Sequence, residues 1–250
     1  EPSTSSRAAE HLFWLGRYAE RSENVARLLR AVLCRLTDTG TFPGAWRPSF
    51  LRTCHRHGLI DARALPRAAS LASNRHRPVI ERALIDGMFD RQHRHSLAFN
   101  VEQTVRVAGT VRDRLSSDNW RLLNRLHQTT TTREGGTLEL DEALEIIDQA
   151  IVSLVAVGGL EMAHMTRDHG WRFLSIGRHL ERLVFVSASL DTVSRSGCTG
   201  EPELLEWLLD LSDSLITYRA RHMHQPEWPR VVDLLLFDPT NPRSGVFQLA

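Results

Sequence analysis

Apolar side chains recur at helical spacing through almost the whole chain, and no stretch alternates in the manner of a β-strand. Between Ala8 and Leu36 they recur with a helical period, at Leu12, Leu15, Ala19, Ser22/Val25, Ala26, Leu29 and Leu33. Residues at these spacings share one face of an α-helix. Similar patterns over 141–166 and 171–194 predict two more long helices. The sequence therefore predicts an all-α fold, built as a multi-helix bundle.

Shorter stretches carry the same period between Pro, Gly and polar breakers. They predict helices over 49–57, 61–73, 79–88, Gln92–Leu115, from Ser117 through Leu126, Pro202–His222 and 231–237. The polar run Thr129–Gly136 is predicted to be a loop.

A gapped word occurs twice, once in the first long helix and once in the helix at 171–194. It consists of a Gly-Arg step and a Glu-Arg step three residues later: Gly16, Arg17, Glu20 and Arg21, then Gly177, Arg178, Glu181 and Arg182. Residues three or four apart are neighbours on a helix, so each word brings two guanidinium groups near one carboxylate. We expect the two helices to meet as neighbours in the core of the bundle.

Composition narrows the chemistry that the chain can perform. All 31 basic residues are Arg, so Schiff-base lysine chemistry and a P-loop lysine are excluded, whereas Arg suits carboxylate and phosphate recognition. The formal net charge of +1 predicts neither a nucleic-acid footprint nor a polybasic membrane surface. No apolar stretch is expected to reach the length of a membrane span. Three scattered cysteines without CxxC spacing favour the reducing cytoplasm.

The two words admit a structural and a functional interpretation. On a solvated helix face they would be ordinary ion pairs, each of which stabilises a helix by about 0.3–0.5 kcal/mol. Helical projection instead places both words among large apolar side chains. The helix at 171–194 is apolar on its other sides too, which predicts a buried central helix: Phe173, Ile176, Leu180, Leu183, Val184 and Val186. Because burying charge is costly, the words then act either as a binding site or as a structural buttress.

In the functional interpretation, the arginines hold the carboxylate or phosphate groups of a ligand: Arg17, Arg21, Arg178 and Arg182. Asn24 and Glu23 add polar capacity on the first helix only. Glu20 and Glu181 orient these arginines, act as a catalytic base or hold a divalent cation.

Two further constellations offer candidate binding residues. Asp168 and Arg172 stand at a predicted helix junction, and Asn241 and Arg243 lie in the turn that follows Asp238. Each set either meets a ligand or caps a helix. The HxH pairs point their rings to different sides of a helix and predict no histidine metal site, and metal ligands remain unassigned.

Four segments in this order resemble the bacterial alpha-E domain family: SRAAEHLFWLGRYAERSENVARLL, VRDRLSSDNW, MTRDHGWRFLSIGRHLER and VVDLLLFDPTNPRSGVFQL. That family is an α-helical domain named for its glutamates and its Glu-Arg motif. The resemblance covers essentially the whole chain. It implies a single helical alpha-E domain over 1–250, and the two termini suggest a domain excised from, or fused to, a longer polypeptide.

The resemblance also implies partners. Alpha-E proteins are encoded beside, or fused behind, circularly permuted ATP-grasp proteins, and transglutaminase-like peptidases are further neighbours. The chain is therefore expected to act with an ATP-grasp ligase in forming or modifying a peptide or amino-acid conjugate, with ATP and Mg²⁺ on the partner. In that function the Arg-Glu words bind the anionic substrate or intermediate. The alternative is a non-catalytic scaffold that docks the partner, with the words as a buried lock.

Overall fold

The computed structural model describes residues 5–37, 47–60, 77–131 and 138–249. All regular structure in these ranges is helical, which confirms the all-α prediction. The first half contains α1 (Ser6–Thr37), α2 (Arg47–Arg56), α3 (Arg77–Met88), α4 (Leu97–Thr110), a 3₁₀ turn (Arg112–Arg114) and α5 (Ser117–Thr131). The second half contains α6 (Leu140–His164), α7 (His169–Ser194), α8 (Pro202–Leu211), α9 (Leu215–Arg221), α10 (Trp228–Val232), a π-helical turn (Asp233–Phe237) and α11 (Gly245–Leu249).

The helix predicted over Gln92–Leu115 begins later than its apolar pattern suggests, because side chains cap the backbone ahead of Leu97. Ser96 is the N-cap, and its Oγ accepts a hydrogen bond of 3.0 Å from the N–H of Phe99. Ahead of it, the Asp90 carboxylate accepts from the N–H of Gln92 at 2.8 Å. Residues 91–96 therefore form turns, and α4 starts at Leu97.

The helix predicted over Pro202–His222 is two helices. Asp213 adopts a positive φ of 52°, which a continuing α-helix does not allow. α8 therefore ends at Leu211 and α9 begins at Leu215. The loop predicted from Thr129 was also placed too early, since α5 runs to Thr131; the helix predicted over 61–73 lies outside the described residues.

The chain forms two compact units. The first comprises residues 1–30 and 85–181, and the second comprises residues 31–84 and 182–250. Helices α1, α3 and α7 contribute residues to both. The core of the first unit is formed by side chains of α1, α4, α5, α6 and α7 and the turn after α4: Leu12, Leu15, Val107, Ala108, Val111, Leu123, Val157 and Leu174.

The second unit is organised around Trp207 of α8, which is fully buried. Its indole N–H donates to the carbonyl of Ala31 at 3.2 Å, and its ring lies 4.5 Å from that of Phe50. A buried indole with a satisfied N–H is a stable anchor for such a core.

The apolar sides of α6 and α7 are only partly covered. The prediction that α7 is a buried central helix is wrong for Phe173, Ile176, Leu180 and Val184, which are 38–53% exposed. Only Val186 of that apolar set is buried. On α6, three more side chains at helical spacing face solvent: Val152, Val155 and Met162. We call the six residues Val152, Val155, Met162, Phe173, Ile176 and Leu180 the apolar stripe.

By length and composition alone, α6 could cross a membrane, contrary to the expectation that no stretch reaches a span. One third of its most apolar window is buried within the protein. A single helix of this kind is weak evidence, since core helices pass the same test. The cytoplasmic location stays a prediction.

Candidate functional site

The two Gly-Arg steps mark the point where α1 and α7 touch backbone to backbone. A methyl group on Gly16 would overlap the carbonyl oxygen of Leu174, and one on Gly177 would overlap that of Phe13. The two contacts are related by near-symmetry, because residues 13 and 174 each precede a glycine of the word by three positions. The expectation that the two copies meet as neighbouring helices is confirmed.

Because the two backbones are so close, charged side chains of α1 reach charged side chains of α7. Arg21 of α1 donates two hydrogen bonds of 2.8 Å to the Glu181 carboxylate of α7, from Nε and from Nη2. Arg17, one turn earlier, donates from Nε to the same carboxylate at 2.5 Å. Both arginines of the first word therefore bind Glu181, the glutamate of the second word. Helical spacing alone had predicted that they would bind Glu20, on their own helix.

The reciprocal contact recruits a third helix. Arg178 of α7 lies 3.6 Å from Glu20 of α1 and donates to Glu161 of α6 through Nη2 at 2.7 Å and Nε at 3.1 Å. Gly158, one turn before Glu161, faces the same guanidinium, since a Cβ there would lie in ordinary contact at 3.4 Å from Arg178 Nη1. One guanidinium therefore serves two carboxylates.

Three arginines and three glutamates form this Arg–Glu cluster: Arg17, Arg21, Arg178, Glu20, Glu161 and Glu181. Charge balances over the cluster as a whole but not within its halves. Two guanidinium groups surround Glu181, while two carboxylates share Arg178. A buried ion pair of Arg27 with Glu23, at 2.9 Å, follows on α1 and leaves the balance unchanged.

The two halves have opposite effects on the carboxyl groups. Burial would raise the pKa of Glu181, but the hydrogen bonds and charges of Arg21 and Arg17 outweigh it and hold the pKa below its ordinary value. For Glu161, burial dominates and raises the pKa despite Arg178, and the neighbouring charge of Glu20 adds to the increase.

The cluster is largely closed to solvent. The Glu20 side chain is 0% exposed and that of Glu181 is 10% exposed, so neither carboxylate offers much surface to a substrate. Arg17 and Arg21 keep 18% and 25% of their side-chain surface, which makes them its accessible edge. Asn24 is buried one turn beyond, and its Nδ2 has no hydrogen-bond partner among the described residues.

Asp168 and Arg172 lie at the start of α7. The Asp168 carboxylate accepts from the backbone N–H of Trp171 at 2.9 Å and pairs with Arg114 at 2.7 Å. The hydrogen bond from the Trp171 N–H is the main cause that lowers the pKa of Asp168. Arg114 lowers it further, and together they outweigh the effect of partial burial, which would raise it. These are the contacts of a helix cap. Arg172 is exposed on the first turn of α7.

The remaining candidates belong to the second unit. Asn241 donates to the carbonyl of Leu234 at 3.0 Å and accepts from the N–H of Arg243 at 3.1 Å, so it closes the turn after the π-helical segment. Arg243 lies 3.5 Å from Asp213, and Arg182 lies 3.4 Å from the carbonyl of Pro242. The backbone N–H of Thr240 chiefly lowers the pKa of Asp238 in this turn, to about 2.

Within the ranges that the structure describes, no group of three or more His, Cys, Asp or Glu side chains is arranged to hold a metal ion. The carboxylates of the cluster bind guanidinium groups instead.

A family model for "a predicted alpha-helical domain with a conserved ER motif" matches residues 5–250. Glu20-Arg21 and Glu181-Arg182 are Glu-Arg steps of this kind, and they stand where α1 and α7 meet. The chain belongs to the Alpha-E family.

The Alpha-E chain is also similar to uncharacterized proteins of Mycobacterium bovis and of two strains of Mycobacterium tuberculosis. Each is 29% identical over 263 residues, a match that covers 98% of this chain. The chain spans only 29% of the length of these relatives. No solved structure matches it.

Glu161 and Arg27 escaped the sequence reasoning, and Glu23 was named only as a polar side chain of the first helix. Glu161 is the single charged residue in the apolar run from Ile151 to Ala163, and an isolated charge on such a helix is a usable signal of a buried partner. Glu23 and Arg27 have the i, i+4 spacing of surface pairs, so their burial was not visible in the sequence.

Proposed function

We propose that this Alpha-E domain is a non-catalytic helical module that docks an ATP-grasp protein, and that the Arg–Glu cluster is its internal lock. The observation that carries the proposal is the pairing of a closed ionic cluster with an open apolar stripe. The carboxylates suited to catalysis are buried and bound by guanidinium groups, whereas large apolar side chains face solvent.

The first support is the state of the cluster. Its six side chains form ion pairs across three helices at 2.5–3.6 Å, and the charges balance. Such a network fixes the register of α1 against α7, because Glu181 can be held by both Arg17 and Arg21 in one arrangement only. A fixed register gives the partner a rigid surface to bind, with little ordering cost.

The second support is the apolar stripe. Val152, Val155 and Met162 follow one face of α6, and Phe173, Ile176 and Leu180 follow one face of α7. Exposed apolar groups in this number on two helices that contact through Arg178 and Glu161 are typical of an interaction surface.

We propose that an ATP-grasp protein binds the apolar stripe. The resemblance to alpha-E proteins associates such domains with ATP-grasp neighbours or fusions, and in the mycobacterial relatives most of the polypeptide lies outside the matched part. The proposed complex forms or modifies a peptide or amino-acid conjugate, with ATP and Mg²⁺ bound by the partner.

The test is co-expression with the ATP-grasp protein encoded beside the domain, or fused to it, supplied as a separate chain. Ile176→Glu and Val155→Glu, which place a charge in the stripe, should weaken the measured affinity at least about tenfold. Ile216→Glu on α9 is the matched control, because Ile216 is 86% exposed outside the stripe, and it should bind normally. Unchanged affinity of both stripe variants would rule out this docking surface.

A second candidate function has one observation in its favour: Arg17 and Arg21 surround a single carboxylate and keep an exposed edge. This half of the cluster could take the carboxylate or phosphate of a substrate or intermediate beside Glu181. Mass spectrometry of products from the co-expressed pair separates the two functions. Folded Arg17→Gln protein that binds its partner but yields no product supports anion binding, whereas full product formation supports the lock.

A further inference from the structure

A second site lies on the first unit, between α1 and α4. A cavity of about 210 Å³ opens there. Three residues of each helix line it: His11, Trp14 and Tyr18 from α1, and Arg106, Val107 and Thr110 from α4. None of them belongs to the Arg–Glu cluster.

Trp14 provides a preorganised aromatic wall. Its ring stacks on Tyr18 with centroids 5.6 Å apart and planes at 30°, and it meets the edge of Phe13 at 5.7 Å. The guanidinium of Arg17 lies 5.9 Å from the same ring. Yet Trp14 is 37% exposed, so a large indole is held in place by its neighbours while part of it faces solvent. A ligand that stacks there would meet a side chain already ordered.

The polar lining has one sign of charge. Arg106 is the charged member and His11 the titratable one, and the cavity lining contains no carboxylate. Arg106 donates one N–H to the side chain of Gln103 on the same helix. A guanidinium has five N–H donors in a planar fork, which suits the two oxygens of a carboxylate or phosphate.

We infer that this cavity binds a small aromatic anion, a single flat ring that bears a carboxylate or a phosphate. The ring stacks on Trp14 and Tyr18, and the anionic group pairs with Arg106. The volume limits the occupant to one ring, since pockets for larger ligands span about 300–1,000 Å³. The cavity does not depend on the docking function, and its anion-binding residue, Arg106, is not part of the Arg–Glu cluster.

Fluorine NMR of small probes tests the site on the whole domain. Fluorobenzoate and fluorophenyl phosphate should bind, and the neutral isostere fluorobenzamide should bind at least about tenfold more weakly. Both anions should shift the indole N–H resonance of Trp14. The preferred anion identifies whether the natural group is a carboxylate or a phosphate.

Variants assign the binding to the cavity. Arg106 is exposed, so Arg106→Gln should fold normally, and it should weaken the anions about tenfold without affecting the neutral probe. Trp14→Leu should weaken all three. Arg167→Gln is the matched control, because Arg167 lies over the ring of Trp171 at 4.0 Å and does not line the cavity. Absence of binding at millimolar probe, or anion binding that Arg106→Gln leaves unchanged, would overturn the inference.

Discussion

Arg21 of α1 binds Glu181 of α7 in a two-pronged contact, with Nε on Oε1 and Nη2 on Oε2, both at 2.8 Å. The two residues are 160 positions apart in the chain. This geometry matches the planar fork of a guanidinium to the two oxygens of a carboxylate, which a lysine could not do. It joins the N-terminal helix to the long helix after residue 168, within one compact unit.

The backbone contact at the two glycines should be the least tolerant feature of the fold. Gly16→Ala and Gly177→Ala each place a methyl group on a carbonyl oxygen of the facing helix, so we expect a loss of about 2–3 kcal/mol in the free energy of unfolding. Urea denaturation followed by circular dichroism measures it. Gly159→Ala on α6 is the control: its new methyl group meets no atom within 4 Å, and it should be neutral or stabilising. Equal effects at all three positions would contradict the assigned contact.

Arg21 and Glu181 should be energetically coupled. A double-mutant cycle with Arg21→Gln and Glu181→Gln should give a coupling energy of about 1–3 kcal/mol, since the pair is mostly shielded from solvent. The control cycle uses Asp118 and Arg121, an i, i+3 pair on α5 with side chains 61% and 80% exposed. There we expect less than about 0.5 kcal/mol. If the coupling energy of Arg21 and Glu181 were as small as that of the control pair, this ion pair would contribute nothing measurable to folding.

Stability should decrease in acid partly through Glu181. Folding lowers the pKa of this carboxyl group, so between the folded and unfolded values the unfolded chain binds more protons. The contribution is therefore complete above the ordinary carboxyl pKa of about 4.3 and is lost as pH falls toward the folded value. Denaturation at a series of pH values should show a smaller acid slope for Glu181→Gln. An acid slope that Glu181→Gln leaves unchanged would contradict this assignment.

Removing Arg178 should have the opposite pH signature. In Arg178→Gln, the buried carboxylates of Glu20 and Glu161 lose their shared cation, and we expect a loss of about 3–5 kcal/mol at neutral pH. Burial already raises the pKa of Glu161, and without the cation folding would raise it further, so the loss should shrink as pH falls and Glu161 becomes protonated. Adding Glu161→Gln should recover part of the stability at neutral pH. A pH-independent loss would contradict a shared site.

The long helices and their meeting were accessible from the sequence for a physical reason. The apolar period of α1 and the word repeated on α7 are local patterns, and helical spacing turns them into faces without any knowledge of the fold. The match of Gly16 with Gly177 further signals close approach, since only a residue without a side chain lets two helix backbones touch.

Other features depended on contacts between distant residues. Phe173, Ile176 and Leu180 are apolar, and the sequence placed them inside, but exposure depends on which neighbouring helices are present to cover them. Similarly, α4 starts at Leu97 rather than Gln92 because the Ser96 and Asp90 side chains bind the backbone there. Apolar period alone does not report either effect.

The sequence by itself determined the all-helical class, the two Gly-Arg–Glu-Arg words and the surfaces of α1 and α7 that carry them. Only the tertiary structure decided which arginine holds which glutamate. Arg17 and Arg21 cross to Glu181, and Arg178 divides between Glu20 and Glu161, because the glycine contact brings the facing helix within reach of these side chains. Glu161 enters from α6, where helical spacing carries no information about a residue on another helix.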